Sequence, residues 1–151
     1  MLVGNTVIIG GYQQPTSALR IVKKADQWNI EDVWRNEMVS LYMANGVVVG
    51  DLLFWLSQRN SGQYFLLDVK SGKTVWTGLP RQAMNAAIAK AGTLVFALEE
   101  DAELVVGRVA GGRFQELKRY TVANSATWAQ PAISGNRIFV KDATTLALWT
   151  L

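Results

Sequence analysis

The chain has 151 residues, of which half are hydrophobic and 18% are charged, a balance that excludes a disordered tail or a low-complexity fibre. It contains no histidine and no cysteine, which excludes a Ser-His-Asp triad, a thiolate zinc site and a disulfide. The net charge is +3, and the basic residues are dispersed rather than gathered in a stripe between aromatic residues. We therefore expect no nucleic-acid partner; the mild basic excess is typical of a solvated surface or of a protein that meets an acidic partner.

Short apolar strands separated by glycine-containing or polar turns are predicted from the first residues onward. In the first third, strands are predicted near residue 2 and over 6–10 and 18–22. The next predicted strands are 42–49, 51–58, 63–69 and 73–79, and they are followed by 93–98, 103–109 and 114–121. The last predicted strands are 127–133, 137–141 and 146–151.

The same order of apolar strand, glycine turn and apolar strand occurs four times. The turn glycines are Gly4, Gly50, Gly92 and Gly135, with spacings of 46, 42 and 43 residues. A period of ~40–50 residues made of short strands is typical of β-propeller blades, each a four-stranded antiparallel sheet.

We therefore predict an all-β fold, a single partial β-propeller domain over residues 1–151. Its approximate repeats are 1–36, 37–81, 82–122 and 123–151. This division gives about three and a half blades, two complete and two partial. The continuous apolar run at 52–56 fits an inner strand packed on both faces, and the alanine-rich stretch 83–91 is placed by the repeat as a linker into a first strand rather than a helix.

Residues 67–76, with the sequence LDVKSGKTVW, resemble the tryptophan-docking repeat of the PQQ-like (pyrroloquinoline quinone) β-propellers, a WD-like repeat family. Asp68, Ser71, Gly72 and Trp76 fall in the register of that repeat. The resemblance implies that Asp68 caps the turn, that Gly72 takes a strained backbone position and that Trp76 inserts against the next blade. The third repeat departs from the pattern, because it lacks the Asp-x-x-Ser-Gly turn.

Two further tryptophans are assigned to interblade packing. Trp34 lies 42 residues before Trp76 and closes the first repeat. Trp128 opens a segment, 128–142, that resembles the start of a late blade in the same family. The repeat pattern assigns no role to Trp28 or Trp149.

The PQQ-like family includes periplasmic scaffold proteins of outer-membrane assembly and quinoprotein alcohol dehydrogenases. The resemblance implies a non-enzymatic, extracytoplasmic scaffold without a cofactor, whose protein partners dock on its loop faces. The alternative that it leaves open is a fragment of a quinoprotein dehydrogenase, which would hold PQQ and calcium on the propeller axis. The chain has neither the adjacent cysteines of many such dehydrogenases nor a recognisable Glu-Asn-Asp calcium set.

Three residues are candidates for a protein interface. Tryptophan and arginine are enriched at the centres of interfaces, which singles out Trp55, Arg59 and Arg81. For Trp55 the competing interpretation is core packing, because it lies in a predicted inner strand.

The carboxylates favour structural roles over catalysis. Asp51, Asp68 and Asp142 all follow apolar strands at turns, where aspartate commonly accepts local hydrogen bonds. A glycosidase pair is the less favoured alternative. The acidic group at 99–103 is expected to be a solvated hairpin tip, with cation binding as its alternative. The run Gly72-Lys73-Thr74 lacks the upstream glycine and following helix of a P-loop.

We also expect the sheets at the two ends of this segment to have open edges. Closed propellers usually contain ~4–8 blades, so we expect missing blades from a longer parent chain or edge-to-edge association of two copies. No apolar run approaches the ~20 residues of a membrane span, and no secretory signal is recognisable. The absence of cysteine is compatible with both the cytosol and the periplasm.

Overall fold

The computed structural model describes residues 1–150, and in this range the chain consists almost entirely of short antiparallel strands. Fifteen strands form four sheets in chain order, so the predicted all-β architecture is confirmed. A single 3-10 turn, Arg59–Ser61, interrupts them. The predicted end of the last strand, Leu151, lies outside the described residues.

The sheets are named by their order in the chain. Sheet 1 contains β1 (Leu2–Val3), β2 (Thr6–Ile9), β3 (Thr16–Lys24) and β4 (Gln27–Asn36). Sheet 2 contains β5 (Val47–Val49), β6 (Leu52–Ser57), β7 (Gln63–Asp68) and β8 (Thr74–Thr77). Sheet 3 contains β9 (Ala86–Ala91), β10 (Leu94–Glu99), β11 (Glu103–Ala110) and β12 (Arg113–Thr121). Sheet 4 contains β13 (Ala132–Ser134), β14 (Arg137–Lys141) and β15 (Leu146–Thr150).

Sheet 1 is complete, although the sequence predicted a partial first blade. The strand that the pattern did not reveal is β4, whose register against β3 shifts at a bulge between Ala18 and Leu19. A bulge breaks the two-residue alternation that marks a strand in a sequence. Three sheets therefore have four strands, and sheet 4 has three within residues 1–150.

Three predicted segments change their boundaries. The predicted strand 127–133 begins only at Ala132, so residues 127–131 belong to the linker before sheet 4. β5 is limited to Val47–Val49, and the first part of the predicted strand 42–49 belongs instead to the linker between sheets 1 and 2. Ala86–Ala91 is the first strand of sheet 3, so only residues 83–85 of the alanine-rich stretch are linker, and no helix forms there.

The inner strands of sheets 2 and 3 form the centre of the core. β6, β7, β10 and β11 each contain four or five consecutive buried residues, because neighbouring sheets cover both of their faces. A continuous apolar cluster joins sheets 1, 2 and 3. A second cluster, which includes Phe96 and Ile138, lies between sheets 3 and 4.

Loops from different sheets meet on two opposite faces. Successive strands run in opposite directions, so the connections after the second and fourth strands of each sheet lie at the same end. We name this end the linker face; it carries loops 10–15, 58–62, 100–102 and 142–145 and linkers 37–46, 78–85 and 122–131. The opposite end, the hairpin face, carries the connections after the first and third strands.

The two end sheets each have one face without a neighbouring sheet. On sheet 1 this face presents Leu2, Ile21 and Ile30, which are 71%, 51% and 71% exposed. On sheet 4 it presents Leu146 and Leu148, which are 66% and 54% exposed. Within residues 1–150, no helix has the length and apolar character needed to span a membrane.

Candidate functional site

The outer strand of sheet 1 docks onto sheet 2 through Trp34. Its indole Nε1 donates a 2.9 Å hydrogen bond to the carbonyl oxygen of Val69. The ring lies against Gly72, where a Cβ atom would stand 2.4 Å from Cδ2 of the indole. Gly72 also has a φ of 71°, a left-handed conformation that glycine adopts readily. Space and backbone conformation therefore both select glycine at this turn.

Asp68 closes the turn that receives Trp34. Its Oδ1 accepts hydrogen bonds from the backbone NH and the hydroxyl of Ser71, both at 2.8 Å, and from the backbone NH of Lys70 at 3.2 Å. These bonds, those from Ser71 above all, lower the pKa of Asp68, because they favour the charged carboxylate.

The other two turn aspartates also act locally. Oδ1 of Asp142 accepts hydrogen bonds from the backbone NH groups of Thr145 at 2.6 Å and Thr144 at 3.0 Å. Asp51 forms an exposed ion pair with Lys70 at 2.8 Å. The carboxylates at these turns are therefore occupied by turn closure and surface pairing.

Asn36 fastens the same junction as Trp34, and the sequence analysis did not single it out. This residue is 8% exposed, and its Nδ2 donates to the carbonyl of Gly72 at 2.6 Å and to Oγ1 of Thr74 at 3.0 Å. Its Oδ1 accepts from the backbone NH of Met38 at 2.7 Å. Asn36 thus joins the end of β4 both to sheet 2 and to the linker that follows.

Trp76 packs against sheet 3 without the turn that receives Trp34. Its ring centroid lies 6.4 Å from that of Phe114, with the planes tilted by 53°. Phe114 in turn stacks on Phe54 at 4.4 Å. An aromatic cluster therefore stands at the junction of sheets 2 and 3, where sheet 3 lacks the Asp-x-x-Ser-Gly turn.

The structure corrects the interblade role predicted for Trp128 and the surface role proposed for Trp55. Trp128 follows the end of β12, in the linker between sheets 3 and 4, and its side chain is 57% exposed rather than packed between sheets. Trp55 lies on β6 and is only 7% exposed, so it belongs to the core. Trp149 donates from Nε1 to the carbonyl of Val122 at 3.1 Å, and Trp28 is 71% exposed.

The acidic group at 99–103 is only in part a solvated tip: Asp101 is exposed as predicted, but Glu99, at the end of β10, is buried. Glu99 is 0% exposed, and its carboxylate accepts hydrogen bonds from the hydroxyl of Tyr64 at 2.9 Å and from Nη1 of Arg119 at 2.5 Å. Burial raises the pKa of Glu99, and the bonds from Arg119 and Tyr64 oppose that shift. Since Tyr64 belongs to β7 and Arg119 to β12, the carboxylate joins sheets 2 and 3.

Glu100 holds the linker between the same two sheets. Its two carboxylate oxygens accept hydrogen bonds from the backbone NH groups of Met84 at 3.0 Å and Asn85 at 2.9 Å. Among residues 1–150, no three carboxylate, histidine or cysteine side chains are placed together to hold a metal ion. Glu99 and Glu100 thus hold sheets 2 and 3 and the linker between them together.

A groove of about 520 Å³ follows the first strands of the sheets, along the position of a propeller axis. Its polar side chains are Asn45, Gln130 and Lys90. Both amides donate to the carbonyl of Ile88 at 2.7 Å. Calcium is held by carboxylate and carbonyl oxygens, and this groove has no carboxylate. Among residues 1–150, those that line this groove do not fit the calcium and quinone site of a dehydrogenase.

A second groove opens on the linker face. Its apolar part has a volume of about 680 Å³ and is lined by Tyr12, Tyr42, Gln58, Ser61, Gly62 and Met84. An adjoining polar part of about 300 Å³ is lined by Tyr12, Gln13, Ser40, Gln58 and Arg59. Because the two parts share Tyr12 and Gln58, we treat them as one site and name it the tyrosine groove.

The apolar walls of the tyrosine groove are unusually open to solvent. Tyr12 and Tyr42 are 61% and 47% exposed, with ring centroids 5.4 Å apart and planes tilted by 56°. Met84 is 77% exposed. Exposed aromatic and methionine side chains gathered at one place are typical of a protein-binding surface.

Ser40 holds the first half of the groove together. Its Oγ donates to the carbonyl of Gly11 at 3.0 Å and accepts from Nε2 of Gln58 at 3.2 Å. The backbone NH of Gln58 also donates to the Ser40 carbonyl at 3.1 Å. Three separate segments, loops 10–15 and 58–62 and linker 37–46, are thereby fixed to one another.

Backbone hydrogen bonds hold together the second half of the tyrosine groove, which loop 58–62 and linker 78–85 form. The NH groups of Arg81 and Gln82 donate to the carbonyls of Asn60 at 3.1 Å and Gly62 at 2.9 Å. A Cβ atom on Gly62 would stand 1.6 Å from the carbonyl oxygen of Ala83, so only glycine permits this contact. The loop and the linker therefore form one rigid edge of the groove.

Several residues around the groove hold strained backbone conformations. Gln13, Asn60, Ser61 and Arg81 have φ values of 56°, 56°, 58° and 58°. For residues other than glycine this region costs about 1 kcal/mol or more each, and such residues concentrate at binding sites. The strain is retained here by the hydrogen bonds that fix the loops.

Arg59 and Arg81, the two arginines proposed for an interface, both lie at this groove. Arg59 lines its polar part, and the backbone of Arg81 is bonded to the 58–62 loop. Both are exposed, and neither forms an ion pair with another side chain of residues 1–150. Arg59 therefore brings to the polar part of the groove a positive charge that forms no ion pair within the described part of the chain.

Comparison with solved structures identifies the architecture. BamB from Moraxella catarrhalis superposes with a TM-score of 0.70 at 19% identity, over 97% of this chain and 43% of BamB. The WD40 β-propeller domain of Doa1 superposes with a TM-score of 0.62 at 14% identity, over 97% of this chain and 48% of that domain. The four sheets are blades of a β-propeller. At these identities the likeness is one of fold, which confirms the predicted β-propeller architecture.

The propeller fold also matches a designed protein. The computationally designed Ika4 protein superposes with a TM-score of 0.68 at 12% identity, over 99% of this chain and 88% of Ika4. By contrast, the chain spans less than half the length of BamB and of the Doa1 propeller domain. No model of a known protein family and no curated protein matches the sequence.

Proposed function

We propose that the chain is a non-enzymatic β-propeller scaffold that binds a partner protein through its linker face. The observation that carries this proposal is the tyrosine groove, where exposed aromatic and methionine side chains adjoin Arg59. Tyrosine, methionine and arginine are enriched at protein interfaces, and loops on a rigid scaffold are the usual place for binding.

The rigidity of the groove supports binding rather than random exposure. Hydrogen bonds through Ser40 and through Gly62 fix its walls before any partner arrives. A preformed surface loses little conformational entropy on association, so more of the contact energy contributes to affinity.

The resemblance of residues 67–76 to the PQQ-like repeat supports a more specific role. We propose an extracytoplasmic location and a partner from the machinery of outer-membrane protein assembly. This part of the proposal rests on the repeat and the propeller fold, and it is tested by the identity of the partner.

Site-specific photocrosslinking tests the proposal. Photoreactive benzoylphenylalanine would replace Tyr42 in the groove or, as a matched control, exposed Lys73 on the hairpin face. We expect position 42, but not position 73, to form a discrete adduct in cells of the source organism, and mass spectrometry would identify the protein. Reconstituted binding of that purified protein, abolished by Tyr42→Ala, would complete the test. Equal adducts at both positions, or none at 42, would contradict docking at the linker face; a cytosolic partner would contradict the location.

The dehydrogenase alternative is tested separately. The longest available form of the protein would be mixed with PQQ and calcium and assayed for alcohol-dependent dye reduction. We expect no turnover above that of a buffer control. Robust turnover would overturn the scaffold proposal.

A further inference from the structure

We propose that the tyrosine groove binds a short acidic segment of its partner, with an apolar side chain between Tyr12, Tyr42 and Met84 and a carboxylate beside Arg59. This inference rests on the proposed function and names the chemistry of the ligand. It follows from the shape, the charge and the rigidity of the groove.

The two parts of the groove differ in chemistry. The larger part, about 680 Å³, offers the faces of two tyrosines and a methionine. The smaller part, about 300 Å³, is lined by the polar side chains of Gln13, Ser40, Gln58 and Arg59 together with Tyr12. Because they adjoin at Tyr12 and Gln58, one peptide can place an apolar side chain in the first and a charged neighbour in the second.

The charge of the groove indicates whether the charged side chain of the peptide is acidic or basic. Glu37, three residues before Ser40, already pairs with Arg35 at 2.7 Å. Glu100 accepts hydrogen bonds from the backbone NH groups of Met84 and Asn85, so its negative charge lies at the Met84 end of the groove and not in the part that Arg59 lines. Arg59 and Arg81 have no such partner among residues 1–150. Guanidinium groups favour carboxylates, with which they form paired hydrogen bonds.

A protein segment fits better than a nucleic acid. Single-stranded nucleic acids are bound by aromatic platforms within a long basic groove that follows the phosphates. Here the two rings are tilted by 56° to each other, and Arg59 is the one basic residue among those that line the groove. Binding of nucleic acid is therefore one of the outcomes that would refute the proposal.

Fluorescence polarisation tests this chemistry directly. The probe is a fluorescein-labelled hexapeptide with a central Leu-Phe pair and two aspartates on each side; the same peptide with asparagines and a labelled oligothymidylate are the comparison ligands. We expect binding of the acidic peptide only, with a Kd that rises as salt is increased from 50 mM to 500 mM.

Variants assign the binding to the groove. Arg59→Ala and Tyr42→Ala should each weaken binding about five- to tenfold, whereas Arg113→Ala, an exposed arginine on the hairpin face, should leave it unchanged. Circular dichroism checks folding, and Tyr42→Phe provides a milder variant that retains the ring.

Three results would overturn the inference: no binding of the acidic peptide, equal binding of the asparagine peptide, or stronger binding of oligothymidylate. If crosslinking at position 42 still identifies a partner, the scaffold proposal stands and only the acidic segment is refuted. If crosslinking fails as well, both are refuted.

Discussion

The Nε1–H of Trp34 donates to the carbonyl of Val69 at 2.9 Å, so the last strand of sheet 1 is hydrogen-bonded to the third turn of sheet 2. The same ring covers Gly72, and Asn36 bonds the carbonyl of that glycine from the same strand. Directional hydrogen bonds, in addition to apolar contacts, therefore fix the geometry of the junction between the two blades. Asn36 also accepts from the backbone NH of Met38, which connects this junction to the linker 37–46 that contributes Ser40 and Tyr42 to the tyrosine groove.

Removing the Trp34 ring should destabilise the chain. Trp34→Ala deletes a half-buried indole and a hydrogen bond, for an expected loss of about 2–4 kcal/mol in the free energy of unfolding. Trp34→Phe keeps a ring but loses the bond, and should cost about 1 kcal/mol. Urea unfolding measures both. Trp28→Ala, at a 71% exposed position, is the matched control and should cost less than about 0.5 kcal/mol. Equal losses at positions 28 and 34 would show that docking does not stabilise the junction.

Buried Tyr64 should make the fold sensitive to alkali. Burial, and then the charge of Glu99, raises the pKa of Tyr64 well above its ordinary value of 10. A group whose pKa is higher in the folded state stabilises the fold at lower pH and loses that contribution as pH rises, here above pH 10. The loss approaches about 1.4 kcal/mol per pH unit.

Tyr64→Phe isolates this effect. The variant should be less stable at neutral pH by about 1–2 kcal/mol, because Glu99 loses a donor, yet its stability should fall less steeply above pH 10. Denaturant titrations between pH 7 and pH 12 measure both changes. Tyr120→Phe, at a residue that is 43% exposed, serves as the control. Parallel pH profiles for the wild type and Tyr64→Phe would refute the role of the buried hydroxyl.

The uncovered faces of the end sheets should cause association. Sheet 1 exposes Ile21 and Ile30 on this face, and sheet 4 exposes Leu148. We expect the isolated chain to self-associate as its concentration rises, because exposed apolar sheet faces favour pairing. Light scattering over a range of protein concentrations measures this self-association. Ile30→Lys and Leu148→Lys should reduce association, whereas Leu79→Lys, at an exposed linker position, should not. A monomer at all concentrations would contradict this expectation.

Local patterns in the sequence predict the blades well but not the groove. Turn glycines and short apolar runs are set by neighbouring residues, so the period near 43 residues and most strands could be recognised. β4 was missed because a bulge interrupts its alternation. Tyr42 was assigned to a strand because its neighbours in the sequence are apolar. Its place beside Tyr12 depends on a long-range contact, the hydrogen bond from Ser40 to the carbonyl of Gly11, which no local pattern indicates.

Long-range partners explain the other differences. Nothing next to Glu99 in the sequence indicates that Tyr64 and Arg119 will enclose it, so an acidic run resembles a solvated tip. The repeat register could not distinguish a tryptophan on an outer strand, such as Trp34, from one in a linker, such as Trp128. Arg59 and Arg81 were singled out by residue type alone, and their role at an interface stays a prediction.

Hydrogen–deuterium exchange with the partner recovered by crosslinking tests the central claim, docking at the linker face, most directly. On binding, we predict slower exchange in segments 11–14, 40–43, 58–62 and 81–84, which form the tyrosine groove. Exchange at 25–26, 69–73 and 111–113 on the hairpin face should not change. Protection confined to the hairpin face, or protection spread evenly over both faces, would contradict the account.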